Sequence, residues 1–217
     1  MDLGYTFQDV SLLQTAMTHI SLANERGIES NQRLEFLGDS ILSFVVATYI
    51  YKKFPQLHEG RLTEMRAAAV CEKSLAAAAR KMNLGSGILF GRSETVCGGK
   101  NKDSILADTF EAVLGAIFLD GGIEPAKKWI MTHLQETIEA SANVDFTNYK
   151  SEIQNYFQKR DKGTDVVAYR LLERKGPDHK PTFMVEAVYR GQCIGKGTGG
   201  SRKEAEQRAA KQAFGNL

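Results

Sequence analysis

Two carboxylates interrupt a stretch that otherwise reads as protein core. In residues 31–46, NQRLEFLGDSILSFVV, Glu35 and Asp39 are spaced i, i+4, so one face of a helix carries both. Continuing that row leads to Leu42, Val46 and Tyr49 rather than to a solvated stripe. Charged carboxylates turned toward an interior are costly unless a cation lies between them. A fold that buries this helix therefore has to accommodate its acids.

A second pair has the same character. In DSILADTFEAVLGAIFLD, residues 103–120, Asp108 and Glu111 lie at i, i+3 among Ile105, Leu106, Val113 and Leu114. Gly38 sits beside the first pair and Gly115 one turn beyond Glu111, so two helices can approach closely there with four carboxylates facing one another. Oxygen donors without histidine suit a hard divalent cation such as Mg²⁺. A carboxylate-bridged di-iron bundle uses Glu-x-x-His, and neither pair has a histidine at that spacing. His19, His58, His133 and His179 are scattered and read as ordinary surface or core histidines. The residues alone also allow two plainer roles for the acids: solvated helix faces, or ion pairs with Arg33, Arg66 or Lys102.

The hydrophobic period divides the chain. Through about residue 140, apolar residues recur at three and four, as in Leu34, Leu37, Ile41 and Val45, which predicts about six or seven helices. Breaks fall at Phe54-Pro55, in the glycine-rich segment 84–102, and at Asp120-Gly121-Gly122. ASANVDFTN is small and polar and reads as a linker. Beyond it, an amphipathic helix at Tyr149–Lys159 precedes strand-like VVAYRLLER, PTFMVEAVY and QCIGKG, with Arg190-Gly191 as a turn, and SRKEAEQRAAKQAF returns to helix. The expected division is an all-α domain at 1–140, a linker at 141–147 and a small α-β-β-β-α domain at 148–217.

Charge follows the same division. Residues 1–147 carry 14 Lys and Arg against 18 Asp and Glu, a balance of −4, whereas residues 148–217 carry 14 against 8, a balance of +6. A small basic module suggests a polyanionic partner. Ser201 and Glu204 form an S-x-x-E capping box that starts the last helix at Ser201. Arg202 and Lys203 then fall in its first turn, where the helix dipole disfavours cations; either an anion binds there or both side chains point to solvent. Cys71, Cys97 and Cys193 are odd in number and lack any CxxC pairing, which argues against a disulfide framework and for a reducing, cytoplasmic setting. The apolar run near ILSFVVATYIY is expected to be too short for a bilayer, so no membrane partner is expected.

Taken together, the motifs resemble a known family. LEFLGDSIL is similar to the signature segment of bacterial ribonuclease III, and SILADTFEAVLGAIFLDGG to its second acidic helix. YKSEIQNYFQ, GPDHKPTF and GTGGSRKEAEQRAA resemble a double-stranded RNA-binding domain. The resemblance implies an all-α nuclease domain followed by the RNA-binding domain, in a homodimeric, Mg²⁺-dependent endoribonuclease with Mn²⁺ as a substitute and no small-molecule cofactor. Metal-activated water would hydrolyse double-stranded RNA to 5′-phosphate and 3′-hydroxyl ends, in rRNA and mRNA processing. Glu35, Asp39, Asp108 and Glu111 become the metal ligands, Asp39 and Glu111 also the catalytic pair, Glu59 an auxiliary acid of the cleft and Phe36 a dimer contact. Ser151, Gln154 and Gln158 would face one minor groove, His179 the next, and Arg202 and Lys203 the phosphates between them. One position departs: Gln32, also in the cleft, stands where the family usually has Glu.

Overall fold

The computed structural model describes residues 3–142, 148–162, 164–177 and 180–217. The chain divides into two compact units, Met1–Val144 and Asp145–Leu217. The described residues of the first contain eight α-helices: α1 (Val10–Ala16), α2 (Ile20–Arg26), α3 (Gln32–Lys53), α4 (Glu59–Ala69), α5 (Glu72–Lys81), α6 (Arg92–Val96), α7 (Asp103–Gly121) and α8 (Ile123–Ser141). That is more than the six or seven expected. The extra elements are short: α1 and α2 have seven residues each and α6 has five, too few for a periodic pattern to stand out. The linker expected at 141–147 begins inside α8, and residues 143–147 lie outside the described residues.

The first unit is organised around α7. Eleven of its 19 residues, from Ile105 through Ile117, are buried, and α1, α3, α5 and α8 pack against it. Its closest neighbour is α3, and the reason lies in two glycines. A methyl group added at Gly38 would overlap the backbone carbonyl of Glu111, and one added at Gly115 would overlap the carbonyl of Leu34. The helices therefore meet backbone to backbone, which side chains at these positions would forbid. Leu42, Val46, Phe110, Leu114 and Ile117 close the core on either side of the crossing.

Helix ends fall where the chain's own chemistry puts them. Asp9 accepts the Ser11 amide at 2.9 Å and starts α1. Asp120, near the end of α7, accepts Tyr5 Oη at 2.7 Å and the amides of Gln8 and Asp9 at 2.9 and 2.8 Å, tying the N-terminal segment to the core. Helix α3 ends at Phe54-Pro55, and α7 at Gly122, whose φ of +84° no side chain adopts readily. At 22 residues, α3 is long and apolar enough to cross a membrane by length and composition, which corrects the expectation drawn from its shorter apolar run. Here its apolar face packs on α7.

The second unit has the order α9 (Tyr149–Asp161), β1 (Ala168–Lys175), β2 (Thr182–Tyr189), β3 (Gln192–Gly199) and α10 (Arg202–Gly215). The strands form one antiparallel sheet in the order β1-β2-β3, with Val185 opposite Leu171 on one side and Gly197 on the other. Arg190 and Gly191 both take positive φ, +49° and +80°, the geometry a two-residue hairpin turn demands. Ala205, Ala209 and Ala213 form a stripe along α10 that lies on β3. Side chains added at Gly195 or Gly197 would overlap the backbone of α10 at Ala209 or Ala205, and one at Gly199 would come within 2.8 Å of the Ala205 amide. Glycine at alternate residues of the strand and alanine at every fourth residue of the helix thus interlock. Ile153, Phe157, Val167, Ala187 and Tyr189 complete this core.

The α3–α7 crossing makes a testable demand. Gly38→Ala should destabilise the first unit by about 3 kcal/mol or more, because overpacking here is against backbone rather than a movable side chain. Gly60→Ala, in α4 with open space around the added methyl, should leave stability unchanged or slightly higher. Urea midpoints of the two variants decide it: equal midpoints would mean that the crossing has room for a methyl group.

Candidate catalytic site

The crossing that buries Gly38 and Gly115 also fixes the acids. Glu35 projects from the first turn of α3, and Asp108 and Glu111 from the middle of α7. One oxygen from each of these three carboxylates lies within 4.8 Å of the others, and all three side chains are half-buried. Asp39, the fourth expected ligand, lies outside that group and is exposed one turn further along α3. Its charge still reaches the cluster, since it helps to push up the carboxyls of both Glu35 and Glu111.

Electrostatics describe a site short of positive charge. Burial, then Asp39, Asp108 and Glu35, push the Glu111 carboxyl up to about 8. Burial, then Asp108 and Asp39, raise Glu35. Burial, then Glu72, raise Asp108, and His19 opposes them. Ion pairing would have moved these groups the other way. Of the cations considered from the sequence, Arg33 pairs instead with Glu29 at 3.1 Å and Lys102 with Glu94 at 2.7 Å. Half-buried acids that repel one another, offer only oxygen and sit within one coordination sphere fit a hard divalent cation.

The remaining expected residues are dispersed. Gln32 is exposed at the first position of α3. Phe36 is 78% exposed, on the turn that carries Glu35. Glu59 begins α4 and accepts Thr63 Oγ1 at 3.1 Å. It borders a groove of about 330 Å³ lined by Ala47, Ile50, Tyr51, Leu57 and Leu62, three turns along α3 from the cluster. His19 reads from the sequence as an ordinary histidine and Glu72 stands out in no motif, yet both act electrostatically on Asp108. His19 caps α2 and Glu72 opens α5, and only the fold brings either one to α7.

In the second unit, Ser151 and Gln158 are exposed on α9. Gln154 is engaged within the unit: its Nε2 donates to the Asp165 carbonyl at 2.9 Å and its Oε1 accepts the Val167 amide at 2.8 Å, which fixes the approach to β1. His179 lies outside the described residues. The capping box forms, with Ser201 Oγ accepting the Glu204 amide at 3.2 Å. Glu204 reaches back to the Gly200 amide at 2.8 Å, one residue before the usual partner. Arg202 and Lys203 are exposed in the first turn of α10, and Arg202 Nε donates to Glu206 at 2.9 Å.

Known proteins repeat both units. The family model described as Ribonuclease-III-like matches residues 9–138, and that described as a double-stranded RNA binding motif matches residues 149–217. A ribonuclease 3 from Symbiobacterium thermophilum is 46% identical over 214 residues, 98% of this chain and 90% of the relative. One from Desulforamulus reducens is 44% identical over 220 residues, 99% of this chain and 88% of the relative. Among solved structures, the nuclease domain of ribonuclease III from Campylobacter jejuni aligns with a TM-score of 0.59 at 45% identity, covering 62% of this chain and 92% of that one.

A proton balance tests the cluster without any substrate. Between the ordinary glutamate value and about 8, folded Glu111 keeps a proton that the unfolded chain releases, so the metal-free protein loses stability as pH rises through that window. Glu111→Gln removes this loss. In EDTA, the melting temperature of the variant minus that of the natural protein should climb between pH 5 and pH 9. A difference that stays flat would show that Glu111 does not titrate in the cluster.

Proposed function

The chain belongs to the ribonuclease III family and is an endoribonuclease acting on double-stranded RNA, and on that premise we propose how its residues divide the work. Residues 1–140 cut and residues 148–217 hold the duplex, with 141–147 between them. Glu35, Asp39, Asp108 and Glu111 hold Mg²⁺, for which Mn²⁺ can stand in. The observation that carries this reading is the mutual repulsion of three carboxylates with oxygens within 4.8 Å. When bound, the ion would supply positive charge for the scissile phosphate and lower the pKa of water so that hydroxide, the attacking nucleophile, can form near neutral pH.

The protein's own groups do the rest. Glu111, raised to about 8, holds a proton at neutral pH in the metal-free chain and gives it up when the site fills. Asp39 and Glu111 are assigned to the reacting atoms, Asp39 because it is exposed one turn along α3 from Glu35, where a backbone phosphate can reach. No side chain need serve as nucleophile, and the ends left are 5′-phosphate and 3′-hydroxyl. Gln32 and Glu59 belong to the same cleft. On the RNA-binding side, Ser151, Gln154 and Gln158 face one minor groove, His179 the next, and Arg202 and Lys203 the intervening phosphates.

A homodimer accounts for two features that a single protomer leaves apart. Phe36 and the groove beside Glu59 share one face of α3, because Ala47 lies eleven residues further on and within about 20° around the axis. A two-fold axis passing outside α3, beside the middle of this exposed face and perpendicular to the helix, would set each Phe36 opposite the partner's apolar groove and bring Glu59 toward the other protomer's carboxylates. Its substrates are structured rRNA and mRNA precursors, and its place is the cytoplasm.

Digestion of a long, perfect RNA duplex tests the reading. Cleavage should require Mg²⁺, stop with EDTA and leave the stated ends, with duplex DNA and single-stranded RNA untouched. Glu111→Gln should lower the rate by orders of magnitude while duplex binding survives, since each 1.36 kcal/mol of lost transition-state stabilisation is about tenfold. Binding without cleavage by the natural protein at any Mg²⁺ concentration would mark an RNA-binding protein that no longer cuts. Gln32→Glu should change the product pattern on a hairpin panel only modestly, because a neutral amide still hydrogen-bonds. A variant that cuts where the natural protein is inert would identify Gln32 as a disabling residue.

A further inference from the structure

One carboxylate joins the starts of the two helices that flank the small sheet. Glu206 accepts Lys150 Nζ at 2.7 Å on one oxygen and Arg202 Nε at 2.9 Å on the other. Its side chain is 13% exposed, against 59% for that of Arg202. Lys150 is held in turn, its ammonium 4.5 Å from the centre of the Tyr169 ring. A continuous line of contacts thus runs from Tyr169 on β1 through Lys150 on α9 and Glu206 to Arg202 at the start of α10. Burial pushes the Glu206 carboxyl up, but the hydrogen bonds from Lys150 and Arg202 outweigh it and leave the group below its ordinary value.

Charge counting says that an acid beside a phosphate-binding arginine should weaken binding to RNA. The geometry says otherwise. Glu206 takes only the Nε edge of Arg202, and among the described residues the two terminal guanidinium nitrogens carry no hydrogen bond. Those two nitrogens form one of the edges through which a guanidinium grips phosphate bidentately, and the edge that includes Nε is the one Glu206 takes. A long side chain loses rotamer freedom when it binds, and one already held loses less. We propose that Glu206 is a positioning residue for duplex RNA, anchored by Lys150 and holding the Arg202 guanidinium with its terminal nitrogens turned outward to the phosphate backbone. The proposal rests on the reading of Arg202 as a phosphate contact.

Positioning and simple repulsion predict opposite signs. Affinity of the full chain for a synthetic RNA duplex is measured in EDTA, so that nothing is cut, over a range of salt concentrations. The proteins compared are the natural chain, Glu206→Gln, Arg202→Ala and the double variant. Positioning predicts that Glu206→Gln weakens binding about fivefold despite removing a negative charge. It also predicts a slope of log affinity against log salt shallower by about 0.9, the share of one phosphate contact. In the Arg202→Ala background, Glu206→Gln should have no further effect. Tighter or unchanged binding by Glu206→Gln overturns the proposal in favour of simple repulsion. A loss that persists without Arg202 overturns it in favour of damage to the unit's shape. If Arg202→Ala alone binds normally, Arg202 is no phosphate contact and the proposal falls with it. Failure of the natural chain to bind duplex RNA would instead bring down the proposed function.

Discussion

Everything in the first unit depends on two helices touching where neither has a side chain. At Gly38 and Gly115 the backbones of α3 and α7 exclude even a methyl group. That contact sets the distance between Glu35 on one helix and Asp108 and Glu111 on the other, and hence whether three carboxylates share one coordination sphere. A wider crossing would relieve their repulsion and dissolve the site. The apolar core on both sides of the crossing supplies the free energy that holds the charges together.

Site and fold are therefore in tension. Without an ion, the cluster subtracts from stability whenever Glu111 is ionised, and burial and its neighbours keep it protonated into the neutral range. Strain of this kind persists only where surrounding structure over-determines it. The buried middle of α7, from Ile105 through Ile117, does so here. The Tyr169–Lys150–Glu206–Arg202 line of the second unit is free of such conflict, since each of its charges has a partner.

Much of this is legible in the sequence. The acids, the glycine near each pair, the capping box at Ser201, the Arg190-Gly191 turn and the change of period near residue 140 are local patterns with local physical causes. Less legible are features that need the third dimension. Three short helices carry too few residues to show a period. Glu72 reaches Asp108 because α5 packs on α7, and His19 because the fold brings the start of α2 within electrostatic range. Glu59 resembles an active-site acid in sequence, yet in one protomer it stands three turns of α3 from the cluster. Gln154 and Arg202 read as RNA contacts; the i, i+4 spacing of Arg202 and Glu206 hints at their pairing, but nothing in the sequence shows that Gln154 already holds partners within its own unit.

The interlock of β3 with α10 carries a last consequence. Where most helix–sheet contacts are cushioned by side chains that can change rotamer, Gly195, Gly197 and Gly199 set the strand directly on the alanine stripe. Such a seam has no adjustable parts. Thermal agitation cannot loosen it by degrees, because a helix drawn back slightly loses dispersion contact along its whole length. The seam should therefore open all at once or not at all. In a unit this small, that makes the docking of α10 and the folding of the sheet a single event, and it leaves the first turn of α10 a rigid mount for whatever it presents to solvent.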